Sequence, residues 1–223
     1  MTNPVFFEDP RTLTEARAIY AHHKIPQLLP GLGTDPVQLF ALQLRAALSD
    51  RLSLIATKDG YIVSDSPLID DGWADVAAGL KYNLIRDTCN QLLVSGGMTF
   101  ELPIGSTRSL QGNGDGEFHL FLTGMKKVGD WHWISGSGFR LPTNRAEENQ
   151  VWYWSNHWDR KISNNLYFLT EVNWYHWLNS SRAFALPVEG GDLFNLGSAG
   201  IAGNNIVTGA VGTKYKPSSN MEL

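Results

Sequence analysis

Apolar and polar residues alternate along most of this chain. From Asn164 to Trp177, Leu166, Phe168, Val172 and Trp174 fall on one face, and Tyr167, Glu171, Asn173 and Tyr175 on the other. Period two is the signature of a strand. The stretch outruns the ~5–6 residues of a usual soluble strand and suits the roughly 9–11 that a tilted membrane-crossing strand needs. The pattern recurs. Residues 38–48 set Phe40, Leu42, Leu44 and Ala46 against Gln43 and Arg45. Alone, 39–48 would serve equally as a helix, since Leu, Gln, Arg and Ala are good helix formers. The tight Ser49-Asp50 turn and the strand 51–58 after it make a hairpin. Residues 73–85 set Ala74, Val76, Ala78, Leu80, Tyr82 and Leu84 against Asp75, Lys81 and Asn83. Residues 91–102 set Leu92, Val94, Met98, Phe100 and Leu102 against Ser95, Thr99 and Glu101.

The second half repeats the scheme. Phe118, Leu120 and Leu122 oppose Glu117, His119 and Thr123 over 117–125; Trp131, Trp133, Phe139 and Leu141 oppose His132 and Arg140 over 131–141. Residues 150–158 carry Trp152, Trp154 and Trp158 on one face, 159–163 form a turn, and 206–215 make a weaker last strand. The first 34 residues differ. Thr12-Leu13-Thr14-Glu15 fits a capping box, so a short helix is expected over about 12–23, stopped by Pro26 and followed by a Pro/Gly loop through Gly33. His22 and His23 would point about 100° apart on that helix, which suits a polar last turn better than a metal pair.

Connections alternate in length. Short ones lie near residues 49, 88, 128, 161 and 217; long ones span 60–72, 103–116, 142–149 and 178–205. Outer-membrane barrels sort their connections this way. Aromatic residues gather toward both rims: Trp152, Trp154 and Trp174 near the long loops, Tyr82, Trp131, Trp158 and Tyr215 near the short turns. Because parity is kept across the hairpins, one continuous apolar surface results, a liability in water and the required exterior in lipid. The expected fold is all-β: an antiparallel up-and-down transmembrane β-barrel with nine or ten strands visible, ten to twelve when intact. Residues 1–34 form an N-terminal segment and 35–223 the barrel. The alternative is a soluble calyx or sandwich using the Trp residues of 152–158 and 174–177 for a sugar or apolar ligand.

The hairpin Leu48-Ser49-Asp50-Arg51-Leu52-Ser53-Leu54, the run Gly79-Leu80-Lys81-Tyr82-Asn83-Leu84 and the strand end Gly97-Met98-Thr99-Phe100-Glu101-Leu102-Pro103 resemble bacterial outer-membrane β-barrels. The nearest group is the transporter-like one that includes the meta-pathway phenol-degradation proteins. The resemblance covers about residues 35–223 and rests on loose strand-and-turn patterns. It implies an outer-membrane channel for small solutes, hydrophobic or aromatic ones among them, and carries no catalytic residue. Barrels of this kind end on a strand with a C-terminal aromatic, whereas Asn220-Met221-Glu222-Leu223 resembles the start of a further strand, so a C-terminally truncated barrel is expected. Residues 38–48 also require an earlier strand of opposite direction, for which Pro4-Val5-Phe6-Phe7 is the candidate.

Composition narrows the function classes. The net charge of -4 and the absence of a basic run exclude a nucleic-acid footprint. A single cysteine, Cys89, builds neither a disulfide framework nor a zinc site. No apolar run reaches the length of a membrane helix. Thr-Asn-Pro-Val after Met1 is no secretory signal, so outer-membrane placement expects a mature or partial sequence. The faces opposite the apolar ones hold Arg45, Asp75, Lys81, Glu101, Glu117, His119, His132, Arg140, Glu171 and Asn173. In a barrel these line the lumen, where they set solute preference or pair with one another to fill it, as in a purely structural barrel with a plugged lumen. No catalytic residue, metal or cofactor is assigned. Ser135 and Ser137 share parity with Trp131 and face outward, no Gly-x-Ser-x-Gly elbow occurs, residues 112–117 lack calcium-loop spacing, and the Gly-rich run 197–203 reads as loop. Leu80→Arg is expected to cost ~2–4 kcal/mol in mid-membrane, and Lys81→Gln little.

Overall fold

The computed structural model describes residues 1–24, 35–67, 69–112, 114–181 and 202–223. Twelve strands follow one another: β1 Glu15–Lys24, β2 Pro36–Ala47, β3 Leu52–Lys58, β4 Tyr61–Ser64, β5 Gly72–Trp73, β6 Val76–Asp87, β7 Leu92–Leu102, β8 Glu117–Val128, β9 Trp131–Pro142, β10 Gln150–Lys161, β11 Leu166–Asn179 and β12 Asn205–Tyr215. All pairings are antiparallel within one sheet, ordered β12-β11-β10-β9-β8-β7-β6-β3-β2-β4-β5, with β1 on the other edge of β2. β3 takes Leu44–Ala47 of β2 and β4 takes Val37–Phe40, so β4 continues β3 past a break at Asp59-Gly60. Gly60 sits at φ 145°, and a Cβ there would meet the Phe40 carbonyl oxygen at 2.7 Å. β5 leads into β6 in the same way, so the twelve strands make ten passes.

The expected helix over 12–23 is not formed: Glu15–Lys24 is β1, in register with β2 along its whole length. Helix propensity and a capping box are worth about 1 kcal/mol; the free edge of β2 offers a ten-residue ladder. The Glu15 carboxylate accepts from Arg45 and Asn3 rather than capping a helix. β1 is the earlier strand that β2 requires, and Pro4–Phe7 forms no strand. The connection read as an unbroken loop over 60–72 contains β4 and β5, and Asp159, read as part of a turn, lies in β10. Among the described residues the only helical piece is a 3-10 turn, Thr107–Ser109. The loop 25–34 and most of 178–205, including the greater part of the Gly-rich run 197–203, fall outside the described residues.

The sheet is strongly curled. Asn3 alone touches both end strands, through Glu15 of β1 and Lys214 of β12. No ladder joins β1 to β12 among the described residues, so the sheet is open. Its convex face is apolar: Leu42, Leu44, Leu54, Leu80, Leu84, Met98, Leu122, Phe139, Trp154 and Val211 are all exposed there. Its concave face is polar: Lys81, Asn83, Ser95, Thr99, Thr123, Ser155, His157, Asp159, Glu171 and Asn173 are buried. An apolar cluster inside joins Phe7 to Ile134, Val151, Tyr153, Tyr175 and Trp177. This inverts the usual arrangement, in which buried residues are apolar and charged ones almost never fully buried unless paired.

Candidate functional site in the concave interior

Short connections lie at one rim of the curled sheet and long ones at the other, which divides the interior into two halves. In the short-turn half, residues 2–11 lie against the concave face without regular structure, bent at Val5–Phe7 and again at Pro10 and Arg11. Glu171 is the deepest anchor: its two carboxylate oxygens accept the backbone N–H groups of Val5 and Phe6, each at 2.9 Å. The same carboxylate holds the His157 ring through Nδ1 at 3.0 Å, and Nε2 lies 3.0 Å from the Thr2 hydroxyl. Asp159 accepts from the Thr2 backbone N–H at 2.6 Å, the Thr2 hydroxyl at 3.0 Å and His132 Nδ1 at 2.7 Å. The order hydroxyl–imidazole–carboxylate matches that of nucleophilic hydrolases. Here Thr2 is wholly buried and its hydroxyl already donates to Asp159, so a carbonyl substrate has no approach. The cluster holds backbone.

Across the interior, Glu8 sits between two cations, 2.6 Å from Arg45 and 2.7 Å from Lys81. Arg45 also reaches Glu15 at 3.0 Å, and Lys81 donates to the Asp9 carbonyl. Arg45 and Lys81 are 4% and 2% exposed, so a missing anion would leave uncompensated charge in a poorly solvated site. Burial alone would raise Glu8, but its bonds to Arg45 and the charge of Lys81 hold it below its ordinary value. Burial likewise opposes the charge on Asp9, yet the adjoining Arg11 guanidinium brings its carboxyl down to about 2. At the β12 edge, Glu222 accepts from Asn3, Lys214 and Lys216. Against burial, the lysines hold its carboxyl at about 2.

The long-loop half is lined by side chains that pair with each other. Lys58 bonds Glu101 at 2.5 Å and lies 3.9 Å from Asp75. Asp75 accepts the N–H groups of Gly105 and Gly112 at 2.8 and 3.0 Å, which pins the 103–116 connection at this rim. Glu101 stands opposite Glu117 in the β7–β8 ladder, and His119 opposite Arg140 in the β8–β9 ladder. His119 Nε2 lies 2.9 Å from the Tyr153 hydroxyl.

The ten polar residues assigned by alternation thus separate into two groups. Arg45, Lys81, His132 and Glu171 hold or adjoin residues 2–11. Asp75, Glu101, Glu117, His119 and Arg140 lie in the other half. Asn173 is buried between them, 3.4 Å from the Thr208 hydroxyl. The alternation missed His157 and Asp159, although the period that places Trp154 and Trp158 outside places Ser155, His157 and Asp159 inside. It also missed Thr2, Phe7, Glu8 and Asp9, for which no local signal exists. Of the Trp residues weighed as a ligand cluster, Trp152, Trp154 and Trp174 face outward, while Trp177 is buried inside. Four of the outward indoles have partners: Trp152 donates to Ser137, Trp154 to Ser135, Trp133 to Asn156 and Trp174 to Asn205, all within 2.8–3.0 Å. Ser137 in turn donates a hydrogen bond to the Tyr153 carbonyl. No family model matches this chain, and no curated protein matches it.

Proposed function

We propose that this chain forms an outer-membrane β-barrel that passes or binds small solutes, with its own N-terminal segment occupying the short-turn half of the lumen. The observation that carries the reading is the inverted amphipathicity of the sheet: large apolar side chains cover the convex face while paired charges fill the concave one. In water such an exterior is a liability; in a bilayer it is the requirement. The outward indoles support this. Trp133, Trp152, Trp154 and Trp174 each find a hydroxyl or amide oxygen, as polar groups in hydrocarbon must. The strands of ten to fourteen residues are long enough to cross with tilt.

Closure is part of the proposal. An unpaired edge is not tolerated in lipid. β1 runs from the short-turn rim to the long-loop rim and β12 runs back, so their free edges have the antiparallel sense a ladder requires. The β12 edge is also competent to pair: Tyr215 and Leu223 exchange both backbone hydrogen bonds at 2.8 Å. Small aromatic solutes suit the long-loop half, where His119 lies beside Phe121. The segment 2–11 equally supports a structural barrel without conduction. Reconstitution decides between them. Liposomes carrying the protein should become permeable to small solutes, more so when the segment is weakened. Permeability equal to empty liposomes in both cases selects the structural reading. A chain that stays monomeric and soluble in plain buffer, with no shift on unheated gels, sinks the membrane reading.

A further inference from the structure

We infer that the short-turn half of the interior is a peptide-binding groove, which recognises a polypeptide carrying an aromatic residue followed by an acidic one, and that residues 2–11 are its resident occupant. This goes beyond the channel reading and does not depend on it. The inference rests on how the segment is held. Most contacts go to its backbone. Asp159, Glu222 and Glu171 accept the N–H groups of Thr2, Asn3, Val5 and Phe6. Lys214, Arg17, Lys81 and the Asn83–Ser95 pair donate to the carbonyls of Asn3, Pro4, Asp9 and Pro10. A wall of acceptors for amides and donors for carbonyls serves a main chain that follows the same bent path, because every non-proline residue presents the same two groups.

Two side chains add selectivity. Phe7 enters the apolar cluster of Ile134, Tyr153 and Tyr175 and lies against bare backbone at Gly136, where a Cβ would meet its ring at 2.5 Å. Glu8 fills the gap between Arg45 and Lys81. Phe7 and Glu8 are adjacent, and the groove meets the first with a pocket and the second with two cations. Such a site accepts the same motif from a separate polypeptide whenever the resident segment leaves.

The test uses the full chain. A synthetic peptide of residues 1–14, carrying a photoreactive phenylalanine at position 7 and a fluorophore, is added to the reconstituted protein. Crosslinks are mapped by mass spectrometry. Adducts on β9 and β10 around Gly136 and Tyr153, competed away by unlabelled peptide but not by a scrambled one, are expected. A Glu8→Gln peptide should compete on the order of a hundredfold more weakly, since it lacks the carboxylate that Arg45 and Lys81 share. Uptake should rise in a protein whose resident segment carries Phe7→Ala, checked as folded by its mobility when unheated. If adducts are absent from β9 and β10 in both proteins, or the scrambled peptide competes equally, the groove reading is wrong.

Discussion

Glu8→Gln is the most informative single change, because it removes one charge and leaves two. The carboxylate lies 2.6 and 2.7 Å from Arg45 and Lys81. Each pair is worth about 6 kcal/mol by Coulomb's law at an effective dielectric of 20, before the desolvation of the three groups is set against it. Breaking a buried pair by removing one partner costs about 3–5 kcal/mol. Glu15 still faces Arg45 and the Asp9 carbonyl still faces Lys81, so about 3 kcal/mol is the expected loss. It should appear as detachment of residues 2–11 rather than unfolding of the sheet, whose ladders are untouched. A cost of 3 kcal/mol raises the detached population roughly a hundredfold. Trypsin cleavage after Arg11 reports that population when detachment is fast relative to cutting. The cleavage rate should therefore rise about a hundredfold, and Lys81→Met in the same chain should recover part of the loss. A change of less than about threefold would refute the reasoning, since the triad would then contribute under ~1 kcal/mol. The same geometry revises the alternation's view of Lys81→Gln as mild: Lys81 is buried in an ion pair, not solvated in a lumen.

Leu80→Arg lies on the convex face and should cost ~2–4 kcal/mol in urea unfolding from lipid vesicles; a neutral effect would favour a surface bathed in water. Gly136→Val should expel Phe7, because its first added carbon already falls 2.5 Å from the ring. Tryptic cutting at Arg11 should then match that of Glu8→Gln, and an unchanged rate would remove Phe7 from the argument. The segment should also detach in acid. Asp9 and Glu222 titrate at about 2, below ordinary values of 3.8 and 4.5, so their stabilisation is complete above about pH 5 and disappears as the pH falls from about 4 to 2. For Asp9 that amounts to about 2 kcal/mol. The near-UV dichroism of the interior aromatics should change with a midpoint below pH 4; a midpoint above pH 5 would remove Asp9 and Glu222 from control of the segment.

Period-two alternation determined most of the architecture on its own. It is local: a strand with one lipid-suited face needs apolar residues at every second position, whatever its neighbours are. Leu80 beside Lys81, or Trp133 beside His132, therefore declares its side of the sheet without knowledge of the fold. Short turns and long loops likewise fixed which strands pair. Two features could not be read this way. At residues 15–24 the local signals favoured a helix, and only the unpaired edge of β2 made the strand the better state. Residues 2–11 carry no period, cap or turn signal. Their place depends on partners more than 150 positions away, Asp159 and Glu171 among them, and on two cations from β2 and β6, the strands that flank β3. Long-range electrostatics inside a curved sheet has no local sequence signature, which is why the exterior was legible and the filling of the interior was decided by the tertiary structure.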